Sequence, residues 1–292
     1  MKKTILLPLI SALSFFFVFI ACKKESPIAT ATSSLSNSLM RQSAANRSSL
    51  PFELKALSAD EGVNYNSLSL DSVAAIHNEA MEYVVDKIVK DDICPEDNEM
   101  FRSRLASYLE EFLSTKGLSA QIKINSIEGA KVYDDMDFCS TDFKLSSKAT
   151  ELTCEVQNAF DNFSTDKISA LEFSERINSV ISNANNLEDV DEKRVVQVTA
   201  TICRSSAFFW KDNLSRLREK LLSHCSTGFS GLVQRYNIPW GAVAYADASG
   251  AITWGRVGFF AAGGPAGAVA CGLAGAAGHS LLRLVCFGIF RS

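Results

Sequence analysis

Histidine is scarce in this chain, with three among 292 residues. That leaves little room for a His-rich metal site or a His-driven mechanism. No Cys-x-x-Cys occurs, so a zinc ribbon or a thioredoxin-like redox site has no support. The phosphate-loop string Gly-x-x-x-x-Gly-Lys-Ser/Thr and the nucleophile-elbow string Gly-x-Ser-x-Gly are both missing. His77-Asn78-Glu79-Ala80-Met81 lacks the second His of a zinc-protease helix and reads as a solvated helix edge. The acidic knot Asp134, Asp135 and Asp137 lacks the Gly and the spaced Glu of a calcium loop, so it reads as a solvated loop. Asp91, Asp92, Glu96 and Asp97 around Pro95 mark a helix break, and Glu188, Asp189, Asp191 and Glu192 read as first-turn charge. His224 and Cys225 are adjacent, and on a helix such neighbours point about 100° apart, too far for a thiolate pair. Basic excess is lacking as well: the net charge of −4 argues against a nucleic-acid partner. The expectation is a non-enzyme with no catalytic residue, no cofactor and no metal.

What is present begins with an address. Lys2 and Lys3 precede an apolar run from Ile5 to Ala21, and Cys22-Lys23-Lys24-Glu25 follows. This is the three-part order of a secretory signal, and the run falls a little short of the roughly 20 residues of a membrane span. Phe19-Ile20-Ala21-Cys22 resembles the lipobox of bacterial lipoproteins, with Phe19 standing where a smaller aliphatic residue is usual. The resemblance implies that Cys22 becomes the lipidated N-terminus and that the membrane is a partner through it. Each buried acyl methylene contributes about 0.8 kcal/mol to such an anchor. The Cys-Lys-Lys-Glu continuation is similar to that of many Bacteroidota-type lipoproteins, which implies a bacterial cell envelope and an outer-membrane anchor. Exported proteins can hold disulfides, and with Cys22 lipidated seven of the eight cysteines remain, an odd number. Cys271 and Cys286 sit in apolar sequence and are the least suited to bridging.

Composition, 47% hydrophobic and 21% charged, suits a folded domain with a real core. Residues 1–21 read as signal peptide, 22–67 as lipidated Cys and tether, 68–239 as a helical domain and 240–292 as a glycine-rich helical hairpin. The tether is rich in Ser, Ala, Thr and Asn over 23–50. Val73, Ile76, Ala80, Val84 and Ile88 recur at helical spacing; so do Phe101, Leu105, Tyr108, Leu109 and Phe112, with Gly117 as the stop. Leu152, Val156, Ala159 and Phe163 form a third stripe. Ser169-Ala170-Leu171-Glu172 has capping-box form ahead of Phe173, Ile177, Val180 and Ile181. Val195, Val198, Ile202, Phe209, Leu214, Leu217 and Leu221 continue the pattern, and only Ile122–Ile127 alternates as a strand would. An all-α amphipathic bundle follows.

The last segment differs in kind. Eleven of the 16 Gly lie between Gly241 and Gly288, and after Glu219 the only carboxylate is Asp247. Gly263, Gly267, Cys271 and Gly275 recur every four residues, beside a second row of Gly264, Ala268, Gly272, Ala276 and Ser280. Such rows let another backbone approach closely. In water they weaken a helix, since each Gly costs about 1 kcal/mol against Ala, so they require a neighbour. Two helices are expected, Trp240–Ala262 and Pro265–Phe290. Asp247 would cap a helix or pair with an Arg, and Trp240, Trp254, Arg256, Arg283 and Arg291 would sit at an interface.

Thr201 to Trp210, a small-residue and Ser run ending in aromatic-Trp, resembles a helix of uncharacterised Bacteroidota-type secreted proteins. Asp247-Ala248-Ser249-Gly250-Ala251 resembles their Asp-Ala-x-Gly-Ala motif, which opens glycine-rich tails, some of them bacteriocin-like. The resemblance carries no catalytic residues and leaves Asp247 and Trp210 as motif positions of unknown role. Two functional readings stand side by side. In one, the hairpin mediates membrane association or self-association. In the other, a binding or structural lipoprotein buries the hairpin as core. An enzyme of unrecognised type would need a deep polar cleft with converging ionisable groups, which the sequence does not forecast.

Overall fold

The computed structural model describes residues 52–56, 68–93, 98–118, 120–124, 136–224, 238–262 and 265–289. The signal peptide, Cys22, Gly263, Gly264, Asp134 and Asp135 lie outside the described residues, as do Cys94 and Cys225. Seven α-helices make up the described chain: α1 (Leu70–Lys90), α2 (Asn98–Thr115), α3 (Ser147–Ser164), α4 (Ala170–Asn183), α5 (Val190–His224), α6 (Trp240–Ala262) and α7 (Pro265–Ile289). The fold class is all-α. Two short strands accompany the helices: β1 (Phe52–Ala56), inside the stretch read as tether, pairs antiparallel with β2 (Ala120–Ile124). The alternation over Ile122–Ile127 thus marks a strand that starts two residues and ends three residues earlier.

The helix starts follow from their caps. Ser69, Ser146 and Ser169 each accept a bond from the backbone N–H three residues on, satisfying one orphan donor of α1, α3 and α4. At Ser169 only the serine half of the expected capping box forms in this way, while Glu172 pairs with Arg176 at 2.6 Å, one turn along. Asp189 opens α5: its Oδ1 accepts from the backbone N–H of Asp191 at 2.8 Å and of Glu192 at 3.1 Å. The α2 helix ends at Gly117, whose φ of 71° is the left-handed conformation that glycine adopts without strain. Leu118 N–H then returns to Leu113 O at 2.8 Å.

The stripes find each other in one core. Val73, Ala80, Val84 and Ile88 of α1 and Phe101, Leu105 and Leu109 of α2 are buried. With them are Val156, Ala159 and Phe163 of α3, and Phe173, Ile177 and Val180 of α4. The central column is α5, about 52 Å long at 1.5 Å per residue. It touches α1, α3, α4, α6 and α7, which explains why Val195, Val196, Val198, Ile202 and Cys203 are buried around its circumference. A Cys139–Cys154 disulfide ties the loop before α3 to that helix, across 15 residues of sequence. Cys271 is buried, and so is the Cys203 thiol, whose pKa burial pushes up.

The glycine-rich helices lie against each other and against α5. A Cβ at Gly250 would sit 2.6 Å from the Gly275 carbonyl carbon and 2.8 Å from Ala276 Cα. At Gly275 it would sit 2.6 Å from Trp254 Cβ, and at Gly272 it would meet Val198 Cγ1 at 3.3 Å. Carbon atoms pack at about 3.5–4.0 Å, so Gly250 and Gly275 have no room for a methyl group. Gly275 therefore faces α6, and Gly272 of the second row meets both α6 and α5. Residues 268–284 of α7 are buried without exception. Among the described residues, no helix is long and apolar enough to cross a membrane.

Candidate functional site

The C-terminal helices bring one carboxylate into this core. The sequence suggested a helix cap or an arginine partner for Asp247; it instead sits inside α6 with 0% exposure. An unpaired charge there would carry a desolvation penalty of several kcal/mol. Three donors from two other helices meet it instead. His77 Nε2 of α1 lies 3.0 Å from Asp247 Oδ1, and Trp210 Nε1 of α5 donates to Oδ2 at 2.6 Å. The Ser206 hydroxyl, one turn before Trp210 on the same face of α5, also donates to Oδ2. His77 is therefore not the solvated helix edge its sequence context suggested.

The cluster continues outward. His77 Nδ1 lies 3.1 Å from Asn78 Oδ1, and Asn78 Nδ2 donates to Ser205 Oγ at 2.9 Å. Burial alone would lower the His77 pKa. The Asp247 charge and hydrogen bond, helped by Asn78, outweigh it and leave the pKa raised above 6.5. With both ring nitrogens donating, every hydrogen-bonding need of the imidazolium is met.

The arrangement has the residue types of a hydrolytic triad in the wrong order. In a nucleophilic site the imidazole stands between hydroxyl and carboxylate, so that it can take the hydroxyl proton. Here the carboxylate stands between Ser206 and His77 and only accepts. His77, Ser206, Trp210 and Asp247 are all at most 1% exposed, so no substrate reaches them in this state. What the cluster does is fix α6 against α1 and α5 at one register, because a shift of one residue would strand a buried charge.

A second imidazole is buried beside it. Trp254 Nε1 donates to His279 Nε2 at 3.1 Å, which places the ring proton on Nδ1, with the Ala246 backbone as its other polar neighbour. Burial holds His279 neutral, with its pKa pushed down to about 3. Trp254 is thus a core residue rather than an interfacial one, and Arg256 donates to Lys144 O at 2.8 Å.

Of the positions singled out in the sequence, Asp247 and Trp210 are brought together. Cys271, Gly272 and Gly275 line the packed face of α7, Gly267 falls within the same helix, and Gly263 and Gly264 are outside the described residues. His77 and Ser206 were missed as partners of Asp247. The signal available was chemical: the sole carboxylate in a long charge-poor segment needs a buried donor, and His77 sits in the apolar stripe of α1 beside Ile76 and Ala80. Among the described residues, no cluster of three or more His, Cys, Asp or Glu side chains is placed to hold a metal ion.

A cavity of about 390 Å³ lies where the start of α6 meets α3, α7 and the disulfide-tied loop. Arg283, expected at an interface, lines it together with Asp137 and Asp161. Comparison of the chain with protein-family models, curated proteins and solved structures finds no match.

Proposed function

We propose that this chain is a non-catalytic binding or structural lipoprotein of the bacterial cell envelope, held to the outer membrane through lipidated Cys22. The glycine-rich hairpin is the spine of its helical domain rather than a second membrane anchor. The observation that carries this reading is the burial of residues 268–284 of α7. A hairpin that worked by entering lipid or by joining a second copy would present an apolar or small-residue face outward. Among the described residues, Gly275 stands against Trp254 and Gly250 of α6, and Gly272 against Val198 of α5. The order of the polar cluster supports a non-catalytic role, since its imidazole cannot deprotonate Ser206.

The test is liposome flotation of residues 23–292, which lack the lipidation site, beside the full lipidated chain. The full chain floats and residues 23–292 remain at the bottom of the gradient if Cys22 is the membrane contact. Flotation of residues 23–292 would transfer the membrane role to the hairpin and end this reading.

A further inference from the structure

A strap, Met136 to Ser140, lies across α3 and α6, and its first two residues line the cavity at the start of α6. On the α3 side, Phe138 N–H donates to Gln157 Oε1 at 2.7 Å, and Phe138 O accepts from Thr153 Oγ1 at 2.8 Å. On the α6 side, the Tyr245 hydroxyl donates to Met136 O, and the Tyr245 ring stacks on Phe138 with centroids 4.9 Å apart. Phe138 is thereby buried between the two helices. The Cys139–Cys154 bridge adds a covalent tie to α3.

The chain after the strap is held separately. Arg256 of α6 donates to Lys144 O at 2.8 Å, and Ser146 donates its backbone N–H and its hydroxyl to Glu192 of α5 at 2.7 and 2.5 Å. Phe143 and Leu145 pack on Val195, Ile252 and Ala268. Neither bridged cysteine is among the buried core residues, so loss of the bridge leaves these anchors and the apolar stripes of the bundle in place. Both bridged cysteines are half-buried, whereas Cys203 and Cys271 are buried. Thiol–disulfide exchange requires such access for the attacking thiolate.

We infer that Cys139–Cys154 is a redox latch on this strap, opened by a dithiol reductant. The inference goes beyond the lipoprotein reading and does not rest on it. A thiolate of the reductant attacks one bridge sulfur, the S–S bond breaks, and a mixed disulfide forms. The second thiol of the reductant then displaces the cysteine. Two electrons and two protons pass to the chain, which ends with two thiols, and the dithiol ends as its own disulfide. With the tie gone, the strap lifts more readily from α3 and α6. Lifting uncovers Phe138 and the Tyr245 and Phe160 rings that line the cavity.

The test is hydrogen exchange of the full chain in detergent, read by mass spectrometry at up to about 1 M urea, for the oxidised protein and for Cys139→Ser/Cys154→Ser. Closing a loop of 15 residues is worth roughly a hundredfold, so strap amides of the variant should exchange about a hundredfold faster. Their rate should rise little with urea, the mark of a local opening, while residues 268–284 keep the steep urea dependence of global unfolding. Dithiothreitol should give the oxidised chain the same strap exchange, and alkylation should then label Cys139 and Cys154 before Cys203 and Cys271. Unchanged strap exchange in the variant would overturn the latch. So would strap exchange with the urea dependence of residues 268–284, loss of circular dichroism in the variant, or a bridge that dithiothreitol leaves intact in the folded chain.

Discussion

Two glycines of one helix should respond differently to the same substitution. At Gly250 an added methyl would lie 2.6 Å from the Gly275 carbonyl carbon and 2.8 Å from Ala276 Cα. Both atoms belong to the backbone of α7, so no rotamer change relieves the overlap, and the helices must part by about 1 Å to restore normal contact. Overpacking of this kind costs about 3 kcal/mol, against which Gly→Ala returns about 1 kcal/mol of helix propensity. Gly250→Ala should therefore destabilise by about 2 kcal/mol. At Gly255, also on α6, the added methyl would meet Ala268 O at 3.6 Å and Val195 Cγ1 and Cγ2 at 3.9 Å, ordinary van der Waals distances. Gly255→Ala should be neutral or stabilising by up to about 1 kcal/mol. Urea denaturation followed at 222 nm reads both: with a slope near 3 kcal/mol per molar, Gly250→Ala moves the midpoint down by about 0.7 M, and Gly255→Ala leaves it or raises it. A rise in the midpoint for Gly250→Ala would refute the close approach of α6 and α7, because propensity alone would then be acting.

Asp247→Ala removes the acceptor of three buried donors and strands the His77 charge; a loss of about 3–5 kcal/mol is expected in the same assay, and a loss under about 1 kcal/mol would mean that the pair is not buried as described. His279 gives an acid-side signature. Its folded pKa is about 3 against an ordinary 6.5, so between those values the unfolded chain binds a proton that the folded chain refuses. Stability then falls as pH drops below 6.5, by up to about 1.4 kcal/mol per pH unit, and His279→Gln should remove that slope between about pH 5 and 6.5, a range above most carboxylate titration. His77 acts with the opposite sign: its folded pKa is raised, so its contribution is full below 6.5 and is lost as pH rises through the folded value. His77→Gln should flatten the stability profile on that side. Reduction of Cys139–Cys154, which spans 15 residues, should lower stability by about 3 kcal/mol, seen as a urea midpoint that drops on addition of dithiothreitol.

The local features were legible in the sequence. Ser169 caps a helix because its hydroxyl reaches the Glu172 N–H, and Gly117 ends one because it alone tolerates a φ of 71° without strain. The apolar stripes of α1, α3 and α4 fall where their periodicity placed them, since amphipathic helices of that length have one way to bury a face. At Gly272 and Gly275 the small residues of α7 stand against a close neighbour. They did not announce its identity, because nothing local to Gly275 says that Trp254 and Gly250 stand opposite. The pairing of His77 with Asp247 was out of reach for the same reason: the two are 170 residues apart and meet only after three helices have docked. Asp247 invited an arginine partner because charge usually finds charge, yet α1 and α5 already filled the space around it with an imidazole, a hydroxyl and an indole N–H. The cavity, likewise, gathers Asp137, Asp161 and Arg283 from three separate stretches that share no spacing.

Hydrogen exchange of residues 268–284 in α7, followed in residues 23–292 with and without anionic liposomes, tests the central claim most directly. If the glycine-rich helices are the spine of the domain, these amides exchange only through global unfolding, with a free energy equal to that from urea denaturation, and liposomes leave them unchanged. Exchange through a lower-energy local opening, or a new protection pattern on adding liposomes, would contradict the account.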